Sequence, residues 1–131
     1  MLFDRKIYAE LFTSCVTEKR IKKSTETFKI SLFLQKAENS LLIAKFVKEI
    51  KPTKDQPKKL HWDYLAITIS YYSMLYAAKA AILSKGYEAS DHDAVQIALG
   101  HLLVPDELEK EDLEILKQSH KIFEEEYVHY F

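Results

Sequence analysis

The stretch from Tyr64 to Leu83 constrains this chain more than any other. Lys79 is the only charge between Asp63 and Lys85, and almost every other position is apolar or small. A helix that is apolar on all sides has no solvent face of its own and must be enclosed by other helices. The pattern therefore predicts a central helix inside a small bundle. Two glycines and three prolines in 131 residues are too few for an array of tight hairpins, which favours long helices with short connections. A chain of this length builds one domain, 1–131, around one core.

The flanking segments supply the enclosing helices. Asp4 is placed to cap a first helix in which Phe3, Ile7, Tyr8, Leu11, Phe12, Cys15 and Val16 form one apolar stripe. Lys19, Arg20, Lys22 and Lys23 close it with cations that suit a helix C-terminus. Ser24 or Thr25 caps a second helix, with Glu26 in its first turn and Ile30, Phe33, Leu34, Ala37, Leu41 and Ala44 on the core side. Lys51 to Lys59 reads as a solvated loop, and Asp63 as the cap of the central helix. Within that helix Ser70, Ser73, Ala77, Ala80 or Ala81, and Ser84 form a small-residue stripe against which a neighbour can pack closely. Gly86 ends it in left-handed geometry. Asp91 or Ser90 caps a short helix to about Leu99, and Pro105 opens a last helix with Asp106 and Glu107 in its first turn. Leu113, Leu116, His120, Phe123, Tyr127 and Tyr130 form its seam. The expected fold is all-α, a four- to five-helix up-and-down bundle.

Composition excludes several classes. Cys15 is the only cysteine, so there is no intrachain disulfide framework, and it is expected to pack as a small hydrophobe. No His-x-x-x-His or Cys-x-x-Cys pair exists, so neither a metal site nor a cofactor is implied. Asp4, Arg5, Lys6 and Glu10 interrupt any signal-peptide core. The uncharged run from Tyr64 to Ala78 falls short of the roughly 18–20 residues of a membrane span. A cytoplasmic protein without membrane contact is expected. Residues 1–59 carry 14 Lys and Arg against 7 Asp and Glu, and residues 60–131 carry 5 against 13. Halves of +7 and −8 pair with each other within one chain or allow a two-fold contact between copies.

Four side chains stand out as a candidate phosphate-binding group. Tyr72, Tyr76 and Lys79 are four and three residues apart and share one helix face. The turn at Gly86 brings His92 toward the end of that face. A cation, a titratable imidazole and aromatic walls suit a nucleotide or RNA. The competing reading pairs Lys79 with Glu88, Asp91 or the acidic last helix, bonds His92 to a local carboxylate or backbone group, and makes the tyrosines core. His120, on the apolar seam, reads as a satisfied, partly buried histidine.

The same stretch resembles a known family. Tyr71-Tyr72, Met74, Ala77-Ala78-Lys79-Ala80-Ala81, Leu83, Gly86, Tyr87, Glu88 and Asp91-His92 run in the order aromatic pair, small-residue run, apolar end, glycine and Asp-His. That order resembles the HEPN domain, a small helical domain of prokaryotes with some eukaryotic relatives. Upstream, Cys15 with Glu18-Lys19-Arg20-Ile21-Lys22-Lys23 is similar to the N-terminal helix of one HEPN subgroup. Phe33-Leu34-Gln35-Lys36-Ala37-Glu38-Asn39-Ser40-Leu41 is similar to the family's A-E-x-x-L helix. The likeness covers most of the chain. It implies a HEPN-like bundle that forms a homodimer, engages nucleotide or RNA, and partners a small nucleotidyltransferase in a toxin–antitoxin-like system.

Ribonuclease members of that family carry Arg, four to six residues, then His. Here the arginines are Arg5 and Arg20, with no histidine near either in sequence, and at the required spacings before His92 only Lys85 is a cation. No catalytic residue is assigned in the leading reading. One alternative is a weak metal-independent ribonuclease using His92 with Lys79 or Lys85. Another is a helical protein-interaction module that binds no nucleic acid.

Overall fold

A computed structural model describes residues 3–50 and 62–130, with the side chains of 62–64 and 126–130 outside that description. The Lys51 to Lys59 loop and the side chains of Tyr127 and Tyr130 therefore lie outside the described residues, while the Asp63 backbone falls inside a helix that begins at Trp62, so Asp63 does not stand before it as a cap. Among the described residues five helices follow in order: α1 (Arg5–Thr17), α2 (Phe28–Glu49), α3 (Trp62–Ser84), α4 (His92–Leu102) and α5 (Lys110–Tyr130). The architecture is the expected all-α bundle.

The central role of α3 is as the pattern predicts. It packs along α2, α4 and α5, and its Tyr71, Leu75, Ala78, Ile82 and Leu83 are buried. Ser73 donates a 2.7 Å hydrogen bond to the Ala37 carbonyl of α2, an approach that only a small side chain allows. The α1 stripe is narrower than the spacing suggests: Tyr8, Phe12 and Cys15 are buried, while Ile7, Leu11 and Val16 stay exposed. Tyr8 lies on α4 over Gly100, where a Cβ would fall 2.3 Å from its Cδ1. On α2, Ala37, Ala44 and Val47 are buried, but Leu34 and Leu41 are exposed. That helix packs against α3 and no other helix to a comparable extent, so one narrow line of small residues is all it buries.

Several local expectations are corrected. The basic run Lys19 to Lys23 does not extend α1, which ends at Thr17. Lys19 takes a left-handed φ of 63°, and Ile21–Lys23 becomes strand β1, antiparallel to β2 (Tyr87–Ala89) with Ile21 opposite Ala89. Both of those residues are buried, and burial of Ile21 in the core draws the segment into extended form. The cap of α2 is Thr27, without a side-chain bond, and its first turn holds no acid. Pro105 does not open α5. Residues 103–109 form turns in which the Glu107 and Leu108 amides donate to the Leu103 carbonyl, and α5 starts at Lys110 with Glu111 and Asp112 in its first turn. Ala77 does not meet a neighbouring helix. It is exposed and lines an open apolar cleft of about 360 Å³ between α3, α4 and α5. Asp4 and Asp91 cap α1 and α4 as expected, and Gly86 has φ 87°. Leu65–Ser84, which extends the uncharged run through Lys79, is long and apolar enough to cross a membrane by length and composition, a test that the core helix of a bundle also passes, and one third of it is buried here.

Candidate functional site

The site forms where α3, α4 and α5 meet. Tyr71 and Tyr72 sit midway along α3. His92 is the first residue of α4, and Asp91, which accepts from the Ala94 amide, holds that helix start in place. His120 and Phe123 come from the α5 seam. Tyr71 is 1% exposed and packs between the Phe123 and His120 rings, at 5.1 Å and 5.5 Å. The His92 and His120 imidazoles stack at 4.6 Å with 17° between planes.

Hydrogen bonds assign the protons. Burial pushes the Tyr71 phenol well above its ordinary range, so it keeps its proton; His92 Nδ1, 2.5 Å away, is the one acceptor for that proton among the described residues, and the hydroxyl donates to it. His92 then carries its own proton on Nε2, which has no hydrogen-bond partner among the described residues. Burial, the neighbouring His120 and then Lys79 hold the His92 pKa below 6.5. His120 is occupied at both nitrogens, accepting at Nδ1 from Gln96 at 3.2 Å and facing Glu124 through Nε2 at 3.0 Å. It is 8% exposed and satisfied, as its place on the seam implies.

Lys79 is half-buried and forms no ion pair among the described residues. Two of the carboxylates expected to neutralise it, Glu88 and Asp91, are engaged elsewhere. Glu88 meets Lys29 at 3.2 Å, and a Ser24 hydrogen bond followed by Lys29 holds its pKa down. Asp91 accepts two 2.8 Å bonds from the Arg20 guanidinium, which lowers its pKa to about 2. Lys79 is close enough to both Glu88 and His92 for its charge to depress their pKa values. Tyr72 and Tyr76 continue along α3, their rings 6.4 Å apart. Lys36 lies 5.3 Å over the Tyr76 ring, and Phe33 stacks against that ring at 6.4 Å.

Of the four expected site residues, Tyr72 and Tyr76 are ring neighbours along α3 and the charge of Lys79 reaches His92. Lys85 is set apart, paired with Glu107. Sequence reasoning missed two supporting members. Tyr71 reads as one half of an aromatic pair, yet it is the residue that orients His92. The stacking of His120 on His92 joins residues 28 apart, and no local spacing signals it. The basic run near Lys19 lines a groove of about 520 Å³ with Ser24, Thr25 and Glu88, so Glu88 lies between that groove and Lys79. Two ion pairs, Arg20 with Asp91 and Lys29 with Glu88, join the basic half of the chain to the acidic half.

Among the described residues no group of His, Cys, Asp or Glu is arranged to hold a metal ion. Comparison of the chain with protein-family models, curated proteins and solved structures finds no match.

Proposed function

We propose that this chain is a HEPN-like helical binding module that self-associates and takes a phosphate-bearing ligand, a nucleotide or RNA, on the Tyr72–Tyr76–Lys79–His92 face. One observation carries the reading: among the described residues Lys79 is a half-buried cation without an ion pair, and Asp91 and Glu88, two of its expected partners, are bound to Arg20 and Lys29. A cation held partly out of water without a counter-charge favours an anionic ligand. The Nε2–H of His92 adds a donor that needs no charge of its own, and Tyr72 offers a ring face for a base beside Tyr76, whose own ring is held by Phe33 and Lys36. A cytoplasmic role beside a small nucleotidyltransferase, in a toxin–antitoxin-like system, rests on the family resemblance.

Titration of wild type and Lys79→Gln with a nucleoside monophosphate, with melting curves for both, tests this reading. The expected result is a loss of affinity by about tenfold or more, the scale of one charged hydrogen bond, with little change in melting temperature. Unchanged affinity retires the site. A ribonuclease reading is favoured only by the His92 Nε2, which has no partner among the described residues, within reach of the Lys79 charge. RNA cleavage that disappears in His92→Ala with the fold intact is its signature.

A further inference from the structure

The outer face of α2 carries a pattern that neither the core nor the ligand site uses. Phe28, Leu32, Gln35, Asn39, Leu42 and Phe46 recur at 4-3-4-3-4 spacing, the period of a helix–helix seam. All six are exposed, with Phe28 at 67%, Leu32 at 49%, Leu42 at 64% and Phe46 at 70%. They lie opposite the line of Ala37, Ala44 and Val47 that meets α3. Single exposed leucines are ordinary on a protein surface, but here two apolar pairs, Phe28 with Leu32 and Leu42 with Phe46, stand in register on either side of an amide pair.

The pattern is its own complement when reversed. In an antiparallel pairing centred on residue 37, Phe28 meets Phe46, Leu32 meets Leu42 and Gln35 meets Asn39 of the second copy, and the same three layers repeat across the two-fold axis. Each layer joins unlike positions of the heptad, as antiparallel helix pairs require. Apolar side chains meet only apolar ones, and the amides meet amides. A shifted register would bury Asn39 or Gln35 against a leucine with its hydrogen bonds unmade, so the polar layer fixes the alignment. With Ile43 beside the seam, and taking about 200 Å² for a full aromatic side chain and somewhat less for an aliphatic one, scaled by exposure, the surface covered is about 1,100 Å² over both copies. That is above the roughly 1,000 Å² a specific interface needs to clear.

We infer that the outer face of α2 docks antiparallel on the same face of a second copy of this chain, with Gln35 and Asn39 as the central layer. The inference rests on the self-association proposed above and is independent of the ligand site. It locates the contact on an apolar seam rather than on the oppositely charged halves, so raised salt leaves it intact.

Sedimentation equilibrium at micromolar concentration, with paired variants and one distance, tests it. Wild type is expected to be dimeric, Phe46→Lys monomeric with unchanged circular dichroism, and Leu34→Lys, exposed but off the seam, still dimeric. A spin label at Lys48→Cys in a Cys15→Ala background should report a separation of about 33 Å, from 11 residues on each side of the axis at 1.5 Å per residue. A separation of about 10 Å marks a parallel pair and overturns the register. A dimer that survives Phe46→Lys overturns the seam while leaving self-association standing. A monomeric wild type overturns both. Flotation of wild type with phosphatidylcholine vesicles, lost in Phe46→Lys, would make the face a lipid contact and overturn the second copy as its occupant.

Discussion

The Tyr71 hydroxyl lies 2.5 Å from His92 Nδ1, and this bond sets what the histidine can do. A phenol that is 1% exposed and keeps its proton donates to the ring, leaving a neutral imidazole with its N–H directed away from Tyr71. Tyr71→Phe removes the donor and leaves Nδ1 unpaired. Loss of a buried hydrogen bond of this kind costs about 1–2 kcal/mol. Nitrogen-15 NMR of the imidazole should show the Nε2–H form in wild type and a tautomer mixture in the variant. An unchanged mixture in both would refute the assignment.

Protonation of His92 should destabilise the fold. Its folded pKa lies below the unfolded value near 6.5 because of burial, His120 and then Lys79. The unfolded chain therefore binds the proton more readily between the two values. Stability contributed by the neutral ring is complete above pH 6.5 and is lost as pH falls through the folded pKa. Chemical denaturation of wild type and His92→Gln across pH 5–8 measures this; the wild-type decline in acid should be shallower in the variant.

Ligand affinity follows the same titration with the opposite sign. Imidazolium adds charge to the site only in acid, so binding of a dinucleoside monophosphate, which does not itself ionise here, should be flat from pH 7 to 9 and strengthen below pH 6.5. Tight binding confined to alkaline pH would contradict a role for His92.

Asp91 carries two loads, the cap of α4 and the ion pair with Arg20. Asp91→Ala should cost about 1–2 kcal/mol, read as a lower denaturant midpoint. Its folded pKa of about 2 lies below the ordinary 3.8, so its contribution is present above pH 4 and fades as pH falls toward 2. Asp91→Asn keeps an acceptor for the cap and should flatten that acid limb while recovering part of the stability.

Neighbouring alanines on α3 should respond differently to the same enlargement. Ala80 is 3% exposed, and Ala80→Leu should destabilise by about 1–3 kcal/mol through overpacking. Ala77 faces the open cleft, and Ala77→Leu should stay within about 0.5 kcal/mol of wild type. Equal shifts in melting temperature would contradict this account of how α3 is surrounded.

The bundle was legible because a continuous apolar helix leaves few alternatives, and Asp4, Asp91 and Gly86 mark boundaries through local chemistry. What escaped is non-local. Ile21 reads as part of a basic helix end until the core claims it. Leu34 and Leu41 read as core until α2 proves to have one helical neighbour. At the site, the shared face of Tyr72, Tyr76 and Lys79 follows from spacing. The fate of Lys79 does not, because it depends on Arg20 and Lys29 taking its carboxylates.

The pairing of Ile21–Lys23 with Tyr87–Ala89, bonded beside it by Arg20 and Asp91 across 71 positions, also bears on how the chain reaches this state. The α2–α3 contact joins sequence neighbours, whereas the strand pair must close the whole segment between them. Doubling such a loop costs only about 0.6 kcal/mol in closure entropy, so the equilibrium penalty is modest. The kinetic effect is larger, since distant contacts are slow to find. The two central helices should therefore acquire amide protection early in refolding. The strap at residues 21–23 and 87–89 should acquire it late, as the step that locks α1 and α4 onto a hairpin already formed.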